Sequence, residues 1–186
     1  AYSSLKQYSK SLDHYTAAEV LGKAGETNRL SHIFYFQFAA THERNKDFEQ
    51  AEKYFEKTLT LSPNFAEALN YCGYMLAEQG VKLDKAKVMI ERAVKAEPKN
   101  AAFLDSMGWV LYKLNQPQQA LSYMLKAMEN TEKPDATLND HLGDIYAALK
   151  KFDQARAAWE KSLAIEPNEA IKKKLEAAPA SGRSPK

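Results

Sequence analysis

Apolar residues recur along this chain in steps of three and four. In the stretch LDSMGWVLY, residues 104–112, Leu104, Met107, Gly108 and Leu111 fall at i, i+3, i+4 and i+7, and Leu69, Cys72, Gly73 and Leu76 repeat the spacing. At 100° per residue these positions share one face of a helix, so each run predicts an amphipathic helix with one face buried. Glycine costs roughly 1 kcal/mol against alanine inside a helix, so Gly108 needs a packing reason. Its neighbour Trp109 points about 100° round the helix and must answer a different demand.

The pattern is itself periodic. Gly73, Gly108 and Gly143 lie 35 residues apart, and Ala51, Ala86, Ala120 and Ala155 follow at intervals of 35, 34 and 35. Pro63-Asn64, Pro98-Lys99-Asn100, Pro134-Asp135 and Pro167-Asn168 come once per period, each a helix stop followed by an Asn or Asp able to cap the next helix. Turn-like stretches between them (ERNKDFEQ, EQGVKLDK, KLNQPQQ, LKKFDQ) split every period into two helical halves. Each unit reads as a helix-turn-helix hairpin.

These residues resemble the tetratricopeptide repeat, a helical hairpin of about 34 residues. Unit 32–65 supplies Tyr35, Phe38, Ala39, Ala51, Phe55 and Pro63; unit 66–100 supplies Leu69, Cys72, Gly73, Leu76, Ala86, Ile90, Ala93 and Pro98. Unit 101–135 supplies Leu104, Met107, Gly108, Leu111, Ala120, Met124 and Ala127, and unit 136–169 supplies Leu142, Gly143, Tyr146, Ala155, Trp159 and Pro167. Departures are small: His42 and Asn139 replace larger apolar residues, and Thr58 and Ser162 replace alanine. The resemblance implies an all-α, right-handed superhelical solenoid in which the Gly108 and Ala120 positions meet where two helices approach closely. Leu5, Tyr8, Ala17, Leu21 and Ala24 match the second half of a further unit, so residues 1–31 are expected to be a partial repeat, the remnant of a longer array. Residues 170–178 are expected to form a capping helix and 179–186 a disordered tail.

Composition narrows the function. The chain has 186 residues, 45% hydrophobic and 27% charged, with one cysteine, Cys72, and so no internal disulfide. The net charge of +2 is carried by the last 18 residues, five Lys/Arg against two Glu, which leaves −1 elsewhere and no electrostatic case for nucleic acid. The charge-free stretch HIFYFQFAAT is about half the length of a membrane span, so no membrane insertion is expected. No phosphate loop, GxSxG, HExxH or paired Cys/His motif occurs, and His14, His32, His42 and His141 stand in different units. Neither catalysis, a metal nor another cofactor is expected.

Recognition remains. The family resemblance implies that a stripe on each first helix lines the concave side of the superhelix, where extended peptides dock. Read unit by unit it holds Ile33, Phe36, Ala40, Glu43; Glu67, Asn70, Tyr74, Ala77; Ala102, Asp105, Trp109, Tyr112; and Thr137, Asp140, Asp144, Ala147. Phe36, Asn70, Tyr74, Asp105, Trp109, Tyr112, Asp140 and Asp144 are the candidate peptide-binding residues, with Trp109 as anchor. The competing reading packs Trp109 against Tyr74 of the preceding hairpin. Phe36, Ala40, Tyr71, Ala102 and Ser106 stand where repeats that clamp acidic peptide tails need basic or amide side chains, so such a clamp is not expected; Glu43, Glu67, Asp105, Asp140 and Asp144 beside Phe36, Tyr74, Trp109 and Tyr112 make the expected ligand a protein or peptide segment with apolar, aromatic and basic residues. The alternative function is a structural module that assembles into a homo-oligomer through its groove or array ends. The phrases LDSMGWVLYKL, NYCGYMLAEQG and DHLGDIYAAL are similar to repeats of bacterial, often cell-envelope, proteins; the cytoplasm is the other expected location.

Overall fold

Ten helices follow one another in a computed structural model, which describes residues 5–25 and 30–179, and no strand occurs among them. They are α1 (Leu5–Ala24), α2 (His32–Arg44), α3 (Phe48–Leu61), α4 (Ala66–Gln79), α5 (Leu83–Ala96), α6 (Ala101–Lys113), α7 (Pro117–Glu129), α8 (Ala136–Ala148), α9 (Phe152–Ile165) and α10 (Glu169–Ala177). The helix starts follow from side-chain capping. Asn100 accepts from Ala102 N, Asp135 from Leu138 N and Asn168 from Ala170 N, satisfying donors that the first turn leaves free. Asn64 departs from that pattern: its side chain accepts from Arg92 instead, and α4 has Phe65 at its N-cap and no side-chain capping bond. Within the hairpins the turns pass through left-handed backbone at Lys46, Lys82, Asn115 and Lys150.

Helices pair as α2 with α3, α4 with α5, α6 with α7 and α8 with α9, and first helices also touch their successors along α2, α4, α6 and α8. A hairpin buries only one face of each helix, so stacking the hairpins joins their faces into a main core, with a second, smaller cluster of Ala155, Trp159 and Ile171 at the C-terminal end. Phe38, Phe55, Leu69, Ile90, Leu111, Met124 and Ile145 lie in the main core with almost no exposure. Gly108 marks the close approach of α6 and α7: a Cβ there would stand 3.0 Å from Met124 Cε and 3.2 Å from the Ala120 carbonyl oxygen. At Gly73 the fit is tighter, 2.7 Å from Ile90 Cγ1 and 3.0 Å from the Ala86 carbonyl oxygen. Thr58 and Ser162, polar where alanine is usual, are buried with their hydroxyls donating to the carbonyls of Tyr54 and Ala136.

The ends differ from the middle. Helix α1 packs on α2 through a face other than the expected one: Ala17, Leu21 and Ala24 are exposed, Leu21 at 72%. Tyr15 instead stacks on Phe38, with ring centroids 5.2 Å apart, and Glu19 accepts from Tyr54 Oη at 3.0 Å and Lys57 Nζ at 2.7 Å. The aromatic rings of α2 and the donors of α3 match Tyr15 and Glu19, which the small apolar face of α1 could not. At the other end α10 covers Trp159 with Ile171. The tail expected at 179–186 lies, beyond Pro179, outside the described residues. No helix of the described residues is long and apolar enough to cross a membrane.

Candidate binding groove

Where α4, α6 and the start of α8 line up, their side chains leave an open groove of about 590 Å³, in the ~300–1,000 Å³ range of ligand sites. Tyr71 and Tyr74 line it from α4. From α6 come Ala101, Ala102 and Ser106, whose size keeps the centre open, and the Ser106 hydroxyl is turned back on the Ala102 carbonyl at 2.9 Å. Thr131, Thr137 and Leu138 border the α8 side. Carboxylates come from three places: Glu43 at the end of α2, Asp105 on α6 and Asp135 at the cap of α8. No Lys, Arg or His is among the lining residues.

Burial sets the charge states. It pushes the Glu43 carboxyl up from the usual range, against the opposing pull of Arg44 and a hydrogen bond with Tyr71. The Tyr71 and Tyr74 hydroxyls are also pushed up, first by burial and then by neighbouring acids, so both rings stay neutral at physiological pH. Asp105 Oδ1 is 2.8 Å from Nδ1 of the buried His141, which fixes α6 to α8. Asn70 lines the groove with its Oδ1 shut off from water and unmatched by any partner, an arrangement that costs about 1–3 kcal/mol.

Three of the eight candidate residues, Asn70, Tyr74 and Asp105, come together in this groove. Trp109 does not line it. It is 7% exposed, donates Nε1–H to Glu78 Oε1 at 2.5 Å, and stacks on His141 with centroids 3.9 Å apart and on Tyr112 at 5.0 Å. Trp109 therefore joins α4, α6 and α8, and its ring partner is His141 of the following hairpin. Phe36 packs edge-on against Phe65 and Tyr71, at 5.3 and 5.8 Å. Asp140 and Asp144 hold Lys174 of α10 at 2.8 and 2.7 Å, and Asp144 also accepts from Trp159 Nε1. Asp135, Thr131 and Leu138 are groove residues that the helical stripe did not contain, because the approach to α8 supplies them.

Chemistry for catalysis is sparse. The described residues contain no group of three or more His, Cys, Asp or Glu able to hold a metal ion. Cys72 is buried, and burial pushes its thiol up to about 12, far from a reactive thiolate.

Tetratricopeptide repeat family models match residues 33–65 and 136–169. The chain is similar to the TPR repeat-containing protein PA4667 of Pseudomonas aeruginosa, 34% identical over 102 residues. That match takes in 55% of this chain and only 17% of the relative's length. It is also similar in structure to YrrB, described as a TPR protein with an unusual peptide-binding site, at 29% identity and a TM-score of 0.60, covering 80% of this chain and 75% of that one. The protein TTC0263 of Thermus thermophilus shares the superhelical fold at a TM-score of 0.71 and 17% identity, over 93% of this chain and 91% of its own. Repeats of this kind build protein–protein interaction scaffolds, generally without catalysis.

Proposed function

We propose, for a chain that is a tetratricopeptide-repeat protein, that its groove between α4, α6 and α8 holds an extended or helical segment of another protein. The observation that carries this reading is the groove's lining: two tyrosines beside small side chains, three carboxylates and no basic residue. Such a surface favours a segment with apolar or aromatic side chains and Lys or Arg among them. YrrB, described as having an unusual peptide-binding site, lends the reading support from a similar architecture. Asn70, Tyr74 and Asp105 are the recognition residues, joined by Tyr71 and Glu43. Affinity is expected in the micromolar range, about −8 kcal/mol.

The test uses Ala102, which is exposed and lines the groove without belonging to the core. In affinity capture from the source organism, Ala102→Arg should lose the proteins that the unaltered chain retains. Leu125→Arg, at an exposed position on α7, should keep them. Equal retention by both variants would rule out the groove. Self-assembly through the groove or array ends is checked by light scattering across a concentration range, where the expected mass is that of a monomer throughout.

A further inference from the structure

We propose that the centre of the groove is a subsite for the guanidinium of an arginine side chain carried by an extended segment of a partner protein. This rests on the groove reading above and names the group that the groove selects. Hydrogen-bond supply points to it: Asp105, Asp135 and Glu43 bring carboxylates from separate elements to the lining of one groove, and no lining side chain is cationic. Asp105 spends Oδ1 on His141 and Asp135 spends Oδ1 on the Leu138 amide, which leaves their second oxygens to face a ligand. Arg44, exposed at the rim beside Tyr71, weakens the field at the Glu43 end, so the subsite centres on Asp105 and Asp135.

Shape selects among cations. Tyr71 and Tyr74 bring neutral aromatic rings to the lining, beside the small side chains of Ala101 and Ala102. A guanidinium is planar, stacks on aromatic faces and spreads five donors in a rigid fork, whereas an ammonium concentrates three at one strongly hydrated point. Spaced acceptors beside flat rings suit the former. The same line of carboxylates already takes a cation where the fold provides one: at its far end Lys174 Nζ sits between Asp140 and Asp144.

The whole chain would be titrated, with amide shifts followed by NMR, against the capped heptapeptide Gly-Ala-Leu-Xaa-Leu-Ala-Gly in which Xaa is arginine, lysine, citrulline or norleucine. The arginine peptide should bind about tenfold or more tighter than the citrulline peptide, with lysine between them and the largest shifts at Asn70, Tyr74, Ala102 and Asp105. Asp105→Asn should erase most of that preference. Because Asp105 also holds His141, Ala102→Leu serves as a second variant: it fills the groove from an exposed position and should abolish the preference with an unchanged Tm. Capped arginine amide alone should bind at least tenfold more weakly than the peptide, and equal affinity would overturn the proposal in favour of a small guanidinium compound. Four peptides binding within twofold of one another at the groove would remove the arginine subsite and leave the groove reading standing. Absence of any shift at groove residues would remove both. An arginine preference that survives Ala102→Leu would put the site elsewhere and contradict the proposal.

Discussion

Single residues separate what the sequence discloses from what it hides. Gly73 and Gly108 are legible, because a glycine recurring inside a helical period signals a close helix contact, and both face the carbonyl of an alanine on the partner helix. They differ in what surrounds them. An added Cβ at Gly108 meets the flexible end of Met124 at 3.0 Å and the Ala120 oxygen at 3.2 Å, whereas at Gly73 it meets the branched stem of Ile90 at 2.7 Å and the Ala86 oxygen at 3.0 Å. Gly108→Ala should therefore stay within about 1 kcal/mol of the parent, helped by alanine's helix preference, and Gly73→Ala should cost on the order of 1–3 kcal/mol by overpacking. Thermal melts compare them directly. Trp109 is the opposite case. The helical stripe treats each first helix as facing open space, but α4, α6 and α8 touch, and the residue flanking that contact is covered by His141 from the next unit. No period within one helix encodes that neighbour. Trp109→Ala should lower stability by about 3–5 kcal/mol in a chemical melt, as expected for loss of a buried indole. An unchanged melt would mean that the ring is not part of the inter-hairpin packing.

Elements were legible where a local signal marks them. Asn100, Asp135 and Asn168 each follow a proline in the period and each caps a helix, while Asn64 was taken by Arg92, a partner 28 residues away that no local signal reveals. The face of α1 was hidden for a related reason, since its packing depends on rings and donors of α2 and α3 rather than on its own apolar spacing. Glu19 makes α1 sensitive to pH. Burial alone would raise its carboxyl, but hydrogen bonds from Lys57, Lys23 and Tyr54 outweigh it and hold the group at about 2, below its ordinary 4.5. The folded value is the depressed one, so this contribution to stability is fully present above about pH 4.5 and is lost as pH falls from there towards 2. Melts of the parent and of Glu19→Gln across that window should converge at the acid end, with the variant showing the flatter profile. Parallel profiles would assign the acid sensitivity to other groups.

At the scale of the whole molecule, stability is a sum over neighbouring hairpins, and the groove exists only because three first helices stack. Removing residues 1–31 should lower Tm by uncovering Phe34, Phe38 and Tyr54, yet leave one cooperative transition by circular dichroism, because the four hairpins that follow remain stacked. Loss of the cooperative transition would make α1 an integral part of the core. The order of helices and the hairpin pairing were legible from the period alone; the groove was only half so, since Asn70, Tyr74 and Asp105 follow the helical stripe while Asp135 and Thr131 enter from the approach to α8. The central claim is that the groove receives a protein segment. Its most direct measurement is photo-crosslinking in cells of the source organism, with a photoreactive phenylalanine analogue placed in the whole chain at Ala102 in the groove or at Leu125 on α7. The account predicts discrete protein adducts from position 102 and none from position 125. Adducts of equal yield and identity from both positions, or adducts from 125 alone, would contradict it.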